Sequence, residues 1–202
     1  MVRKTTTTVV VTLGLVGYAY GQGQVNFDTR VAGTIAYFYD WPPYGYALLA
    51  GSNFFAQLYA AAGSVSSSSS LAPVGHPVNF QSGTQAGWVQ DSGTTSLGWT
   101  VDPIVNVTAV NGGAATVQVR VWWNAVSTIT TYEAAIASAN PNMRYLASPL
   151  LFLWVTGNPN AWPPTVPVDL VGLQGAMWIP EPSTLGLLGL AMVALFLGRR
   201  HR

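Results

Sequence analysis

Ile104-Val105-Asn106-Val107-Thr108-Ala109-Val110, then Asn111-Gly112-Gly113-Ala114, then Ala115-Thr116-Val117-Gln118-Val119-Arg120-Val121-Trp122-Trp123: this stretch decides the fold class. Neighbouring side chains on a strand point to opposite faces. Ile and Val alternate with Asn and Thr before the turn. After it, Val117, Val119 and Val121 fall on one face, and Gln118 and Arg120 on the other. Period-2 alternation over β-branched residues predicts two strands. Asn-Gly between them predicts a tight hairpin, because both residues accept positive φ. Trp122 and Trp123 are adjacent, so one of them is expected to face away from the core.

Working outward, the same signals recur. Gln24-Val25-Asn26-Phe27 alternates and predicts a first strand, and residues 31–39 continue in β-prone residues. Trp41-Pro42-Pro43-Tyr44-Gly45-Tyr46 reads as an aromatic loop. Residues 54–60 predict a strong strand, residues 61–70 with their serine run a flexible loop, and residues 74–80 and 87–90 shorter strands. Residues 131–139 depart from the pattern: Tyr132-Glu133-Ala134-Ala135-Ile136-Ala137 predicts one short helix, stopped at Asn140-Pro141. Residues 150–156 return to strand, 162–167 form a stiff Pro-rich link, and 168–179 hold one or two edge strands. Strands with turns about every ten residues predict an all-β domain, an antiparallel β-sandwich or jelly roll with one short helix.

Composition narrows the class. Of 202 residues, half are hydrophobic but only 7% are charged, against roughly 25% in ordinary domains. A surface of hydroxyls and amides suits an exported β-rich protein. The formal net charge of +1 is dominated by the ends. Between them, Arg30, Arg120 and Arg144 face Asp28, Asp40, Asp91, Asp102, Glu133 and Asp169, a net −3. Without a basic patch, nucleic acid is excluded as a partner. There is no cysteine, which excludes disulfides and thiolate metal sites.

Both ends read as targeting segments. Residues 1–21 form a signal peptide: Arg3-Lys4, an apolar core over residues 9–19, and a small-residue end at Ala19-Tyr20-Gly21. A membrane-anchoring helix is the competing reading. That leaves residues 22–177 as the domain and 178–202 as the tail. In the tail, Pro180-Glu181-Pro182 cannot join a helix, because proline lacks an N–H and restrains the residue before it. Ser183-Thr184 can cap an apolar helix over residues 185–198. That helix is short for a span of about 20 residues. Extension back to Trp178 reaches the length and puts an aromatic anchor at the interface. Arg199, Arg200 and Arg202 should stay cytoplasmic as a stop, leaving the body outside.

This tail resembles the PEP-CTERM sorting signal of Gram-negative environmental bacteria: a Pro-Glu-Pro motif, a short apolar helix and an Arg-rich end, in that order. The resemblance implies an exosortase, a membrane transpeptidase, as partner. It also implies a transient stay in the inner membrane through the helix, then delivery to the cell surface or extracellular matrix. An ordinary C-terminal anchor that happens to contain Pro-Glu-Pro is the alternative. The middle is similar to exported proteins bearing this signal, at residues 24–27, Ala56-Gln57-Leu58-Tyr59, Pro77-Val78-Asn79-Phe80 and Leu170-Val171-Gly172-Leu173. That likeness implies no activity.

Chemistry between the ends is sparse. His76 is the sole histidine outside the tail, so no metal site or cofactor is expected. A glycosidase needs a carboxylate pair, but Asp91, Asp102 and Glu133 read better as turn, cap and solubility residues. No phosphate loop or nucleophile elbow occurs. The aromatics are the remaining hint. Trp41, Tyr44 and Tyr46 are candidates for stacking on sugars, with Trp88, Trp99, Trp122, Trp123, Trp154 and Trp162 as further rings. The expected function is a non-enzymatic surface or matrix protein held among extracellular polysaccharide. A carbohydrate-binding module is the alternative, and a glycoside hydrolase is third.

Overall fold

The computed structural model describes residues 22–31, 34–40, 47–90, 93–96, 98, 100, 102–107, 111–124, 128–140 and 142–177. The described chain is mostly β. Its elements are β1 (Gly23–Asn26), β2 (Arg30–Val31), β3 (Thr34–Ile35), β4 (Phe38–Asp40), β5 (Ala47–Leu48), β6 (Gly51–Ala62) and β7 (Ala72–Phe80). They continue as β8 (Ile104–Val107), β9 (Ala115–Trp123), α1 (Tyr132–Ile136), β10 (Tyr145–Ala147), β11 (Leu151–Leu153), β12 (Val168–Asp169) and β13 (Ala176–Met177).

The strands fall into open sheets. The largest runs β10-β9-β6-β7, with β11 also on β9. A second runs β12-β1-β8, a third β13-β4-β5, and β2 pairs β3. Val25, Val105 and Val107 from the second sheet, Phe38 from the third, and Leu58, Val117, Val119 and Val121 from the largest share one apolar core. Three of the β9 valines, at every second position, supply the centre of that core, as the alternation requires.

The hairpin expected at Asn111-Gly112 does not form. Both edges of β9 are already occupied, by β6 from Ala62↔Ala115 to Phe54↔Trp123 and by β10 and β11 on the other side. β8 instead pairs antiparallel with β1, Val25 opposite Val105. The turn residues keep the positive φ that their identities favour, 42° at Asn111 and 81° at Gly112. They turn the chain from one sheet to another rather than back along the same one.

Three further expectations are corrected. The last two strands pair parallel, β12 with β1 and β13 with β4. Residues 87–90 contribute an isolated bridge, Phe80↔Val89, rather than a strand. The serine run is ordered: Ser67 caps a 3-10 turn over Ser68–Ser70, and β6 extends through Ala62 into the stretch expected to be loop. The expected short helix is present as α1, with the Thr131 side chain accepting from the Ala134 N–H.

Candidate functional site

The face of the large sheet that points away from the β9 valines is the chemically richest part of the body. Phe55 and Tyr59 from β6 and Trp122 from β9 line it, and Tyr132 and Ala135 of α1 cover it with Leu71 and Met143. Trp122 stacks on Phe55 at 5.8 Å, and its Nε1 donates to the Ile129 carbonyl at 2.9 Å. The outward tryptophan expected from the Trp122-Trp123 pair is therefore a second core residue. Trp123 is half-buried, with the Arg144 guanidinium 5.4 Å from its ring.

Arg120 crosses this face only 9% exposed. Its guanidinium lies 3.9 Å from the Tyr59 ring centre and 5.3 Å from that of Tyr132. It donates to Gln118 Oε1 at 3.0 Å, to the Ser68 carbonyl at 2.5 Å and to Glu133 Oε1 at 3.3 Å. Tyr59 donates its hydroxyl to the Glu133 carboxylate at 2.9 Å. Burial pushes the Tyr59 hydroxyl well above the usual tyrosine range, and the Glu133 carboxylate adds to that. Burial likewise raises Tyr132. A charge buried with so many partners is satisfied rather than reactive, so the cluster joins the serine turn, the sheet and α1.

The other carboxylates are similarly engaged. Asp102 accepts from the Ile104 N–H at 2.9 Å, and Asp28 from the Arg30 N–H at 2.7 Å. Asp169 accepts from Asn26 Nδ2 at 2.8 Å across the β1–β12 pair, and Asp40 pairs with Arg144. Asp91 lies outside the described residues. His76 lines a surface pocket of about 230 Å³ with Thr100, Asp102 and Asn106 over an apolar floor at Val78 and Ile104. Among the described residues, no group of three His, Asp or Glu is placed to hold a metal.

The rings proposed for sugar stacking, Trp41, Tyr44 and Tyr46, lie outside the described residues. Two other rings, named above only as further aromatics, stand out. Trp162 is 97% exposed and Trp154 is 81% exposed. Trp162 sits on a loop closed at its base, where the Asn158 N–H donates to Thr165 Oγ1 at 2.6 Å and the Thr165 N–H to the Asn158 carbonyl at 3.0 Å. Their exposure depends on tertiary contacts that no local pattern records.

The exit from the body is equally defined. Leu170 and Leu173 are buried, and Gly175 lies so close under Tyr37 that an added Cβ would meet its carbonyl oxygen at 1.9 Å. β13 then pairs Ala176 with Phe38 and Met177 with Tyr39. Pro180, Glu181 and Pro182, the apolar residues 185–198, and Arg199, Arg200 and Arg202 lie outside the described residues. Among the described residues no helix is long and apolar enough to cross a membrane.

A mostly-β body that hands over, at its last strand, to an apolar tail with an arginine end has the layout of an exported protein carrying its own sorting signal. Residues 179–202 match the PEP-CTERM protein-sorting motif, so the chain carries that motif over those residues. The motif implies processing by an exosortase and sorting by way of the membrane to the cell surface. No curated protein and no solved structure matches the chain.

Proposed function

We propose that residues 22–177 form a non-enzymatic surface or matrix domain, a β-sandwich in kind, held among extracellular polysaccharide. In this reading residues 1–21 are a cleaved leader. The apolar residues 185–198 hold the chain in the inner membrane of a Gram-negative environmental host until an exosortase acts, with Arg199, Arg200 and Arg202 retained inside. The observation that carries the reading is the engagement of the carboxylates. Each described one caps a turn, bridges a strand pair or closes an ion pair. A glycoside hydrolase needs two left to act on substrate. The full chain, offered a panel of polysaccharides, should release no reducing ends. Release that disappears in Glu133→Gln or Asp102→Asn would contradict the reading.

Trp162 and Trp154 favour a second reading, a carbohydrate-binding module. An indole on a clamped loop offers a flat apolar face at little entropic cost. Retention of the full chain on an insoluble polysaccharide, lost in Trp162→Ala, would support it. Equal retention of both forms would remove it.

A further inference from the structure

Met177, the last residue of β13, stands two residues before the start of the sorting motif at residue 179. An extended chain covers at most about 3.5 Å per residue, so with β13 paired the two residues after Met177 allow a reach of at most about 7 Å. An enzyme that cuts or transfers a peptide takes it as an extended strip of several residues lying in a cleft. A body fixed at most about 7 Å away blocks the N-terminal side of that strip.

β13 is a short edge strand, held on one side by Ala176 against the core. It is two residues long, it pairs parallel with β4 alone, and Met177 is 38% exposed. Short parallel edge pairs with one exposed face sit at the low end of local stability. Behind it the chain is fixed, because Leu173 is 3% exposed in the core. Peeling residues 174–177 would therefore stop at Leu173 and lengthen the reach to residue 179 from about 7 to about 20 Å. An open groove of about 360 Å³ already runs beside the strand, lined by Tyr37, Tyr39, Gly175 and Met177.

We propose that Ala176 and Met177 are positioning residues for exosortase processing: paired with β4 they withhold the motif, and their release from β4 presents it. This inference rests on the exosortase reading of the tail. It makes processing a two-step event, in which the strand opens first and the enzyme engages the freed strip second.

The chain contains no cysteine, so one engineered pair suffices as a lock. Met177 stands opposite Tyr39, and neighbouring strands are close enough for a disulfide. The full chain carrying Tyr39→Cys and Met177→Cys is followed by immunoblot in a host that has an exosortase. The locked chain should be processed severalfold more slowly than either single variant, and reductant should restore the rate. Inserting Gly-Ser-Gly-Ser-Gly-Ser after residue 177 of the locked chain should restore it as well, which also shows that the locked body folds and is exported. Gly175→Ala must push the segment off Tyr37 and should be processed at least as fast as the unaltered chain. A locked chain processed at the unaltered rate overturns the proposal, as does a slow one that neither reductant nor insertion rescues. If the unaltered chain is itself never processed, the exosortase reading falls first and the strap role falls with it.

Discussion

Removing the Arg120 side chain leaves the Gln118 amide oxygen, the Ser68 carbonyl and the Tyr59–Glu133 pair without their cation. Orphaned buried acceptors cost about 1–3 kcal/mol each at most. Arg120→Ala should therefore destabilise the chain by about 2–4 kcal/mol in denaturant unfolding. Glu133 is the outer member, 59% exposed at its side chain, so Glu133→Gln should cost under about 1 kcal/mol. Equal losses would mean that the ion pair, rather than the buried guanidinium, holds the face together. Tyr59 gives the cluster a pH signature. Its folded-state pKa is raised, so the folded state keeps its proton when the unfolded chain, near pH 10, begins to lose one. Stability contributed this way is full below about pH 10 and falls as pH rises further. Melting temperatures measured from neutral to strongly alkaline pH should drop above that point, and Tyr59→Phe should flatten the drop. The alternation of Val with Gln118 and Arg120 in the sequence placed these residues on the correct face. It carried no sign that the face is covered, because the serine turn lies 52 residues from Arg120 and α1 reaches the face only once the chain after β9 folds back.

At the scale of elements, strands were legible and their partners were not. The patterns at residues 104–107 and 115–123 are strands, and Asn111-Gly112 does take positive φ, yet the two strands belong to different sheets. Turn chemistry specifies a local bend. Which edge a strand finds depends on the edges that β6, β10 and β11 have already taken. The same holds for β12 and β13, whose short sequences carry no mark of parallel pairing. The Asn-Gly bend offers a clean test. At Gly112 an added Cβ meets Asn158 Cβ at 2.8 Å, whereas at Gly63, with φ of 73°, it meets nothing within 4 Å. Gly63→Ala should cost only the left-handed backbone term of about 1–2 kcal/mol. Gly112→Ala should cost more than that by chemical denaturation, because the Asn158 side chain must also move. Equal costs would show that the packing of the bend against residue 158 is loose.

For the molecule as a whole, the sequence was most informative where local chemistry is the message. Pro-Glu-Pro, an apolar run and an arginine end are a signature written in consecutive residues, and residues 179–202 match the sorting motif accordingly. The body carries no comparable signature, since its buried tyrosines, Arg120 and capped aspartates take their meaning from contacts made only after folding. A tail that governs destination also predicts that damage to the body away from β13 leaves sorting unchanged. Arg120→Ala, if still folded, should reach the same place in the same processed form as the unaltered chain, which fractionation and immunoblotting can check. The most direct measurement is the fractionation of cells carrying an exosortase and expressing the chain with and without residues 179–202. The full chain should appear outside having lost both its leader and part of its tail, and the truncated chain should be exported with only the leader removed and not be retained at the surface. A truncated chain that reaches the same surface fraction as the full one would contradict the account.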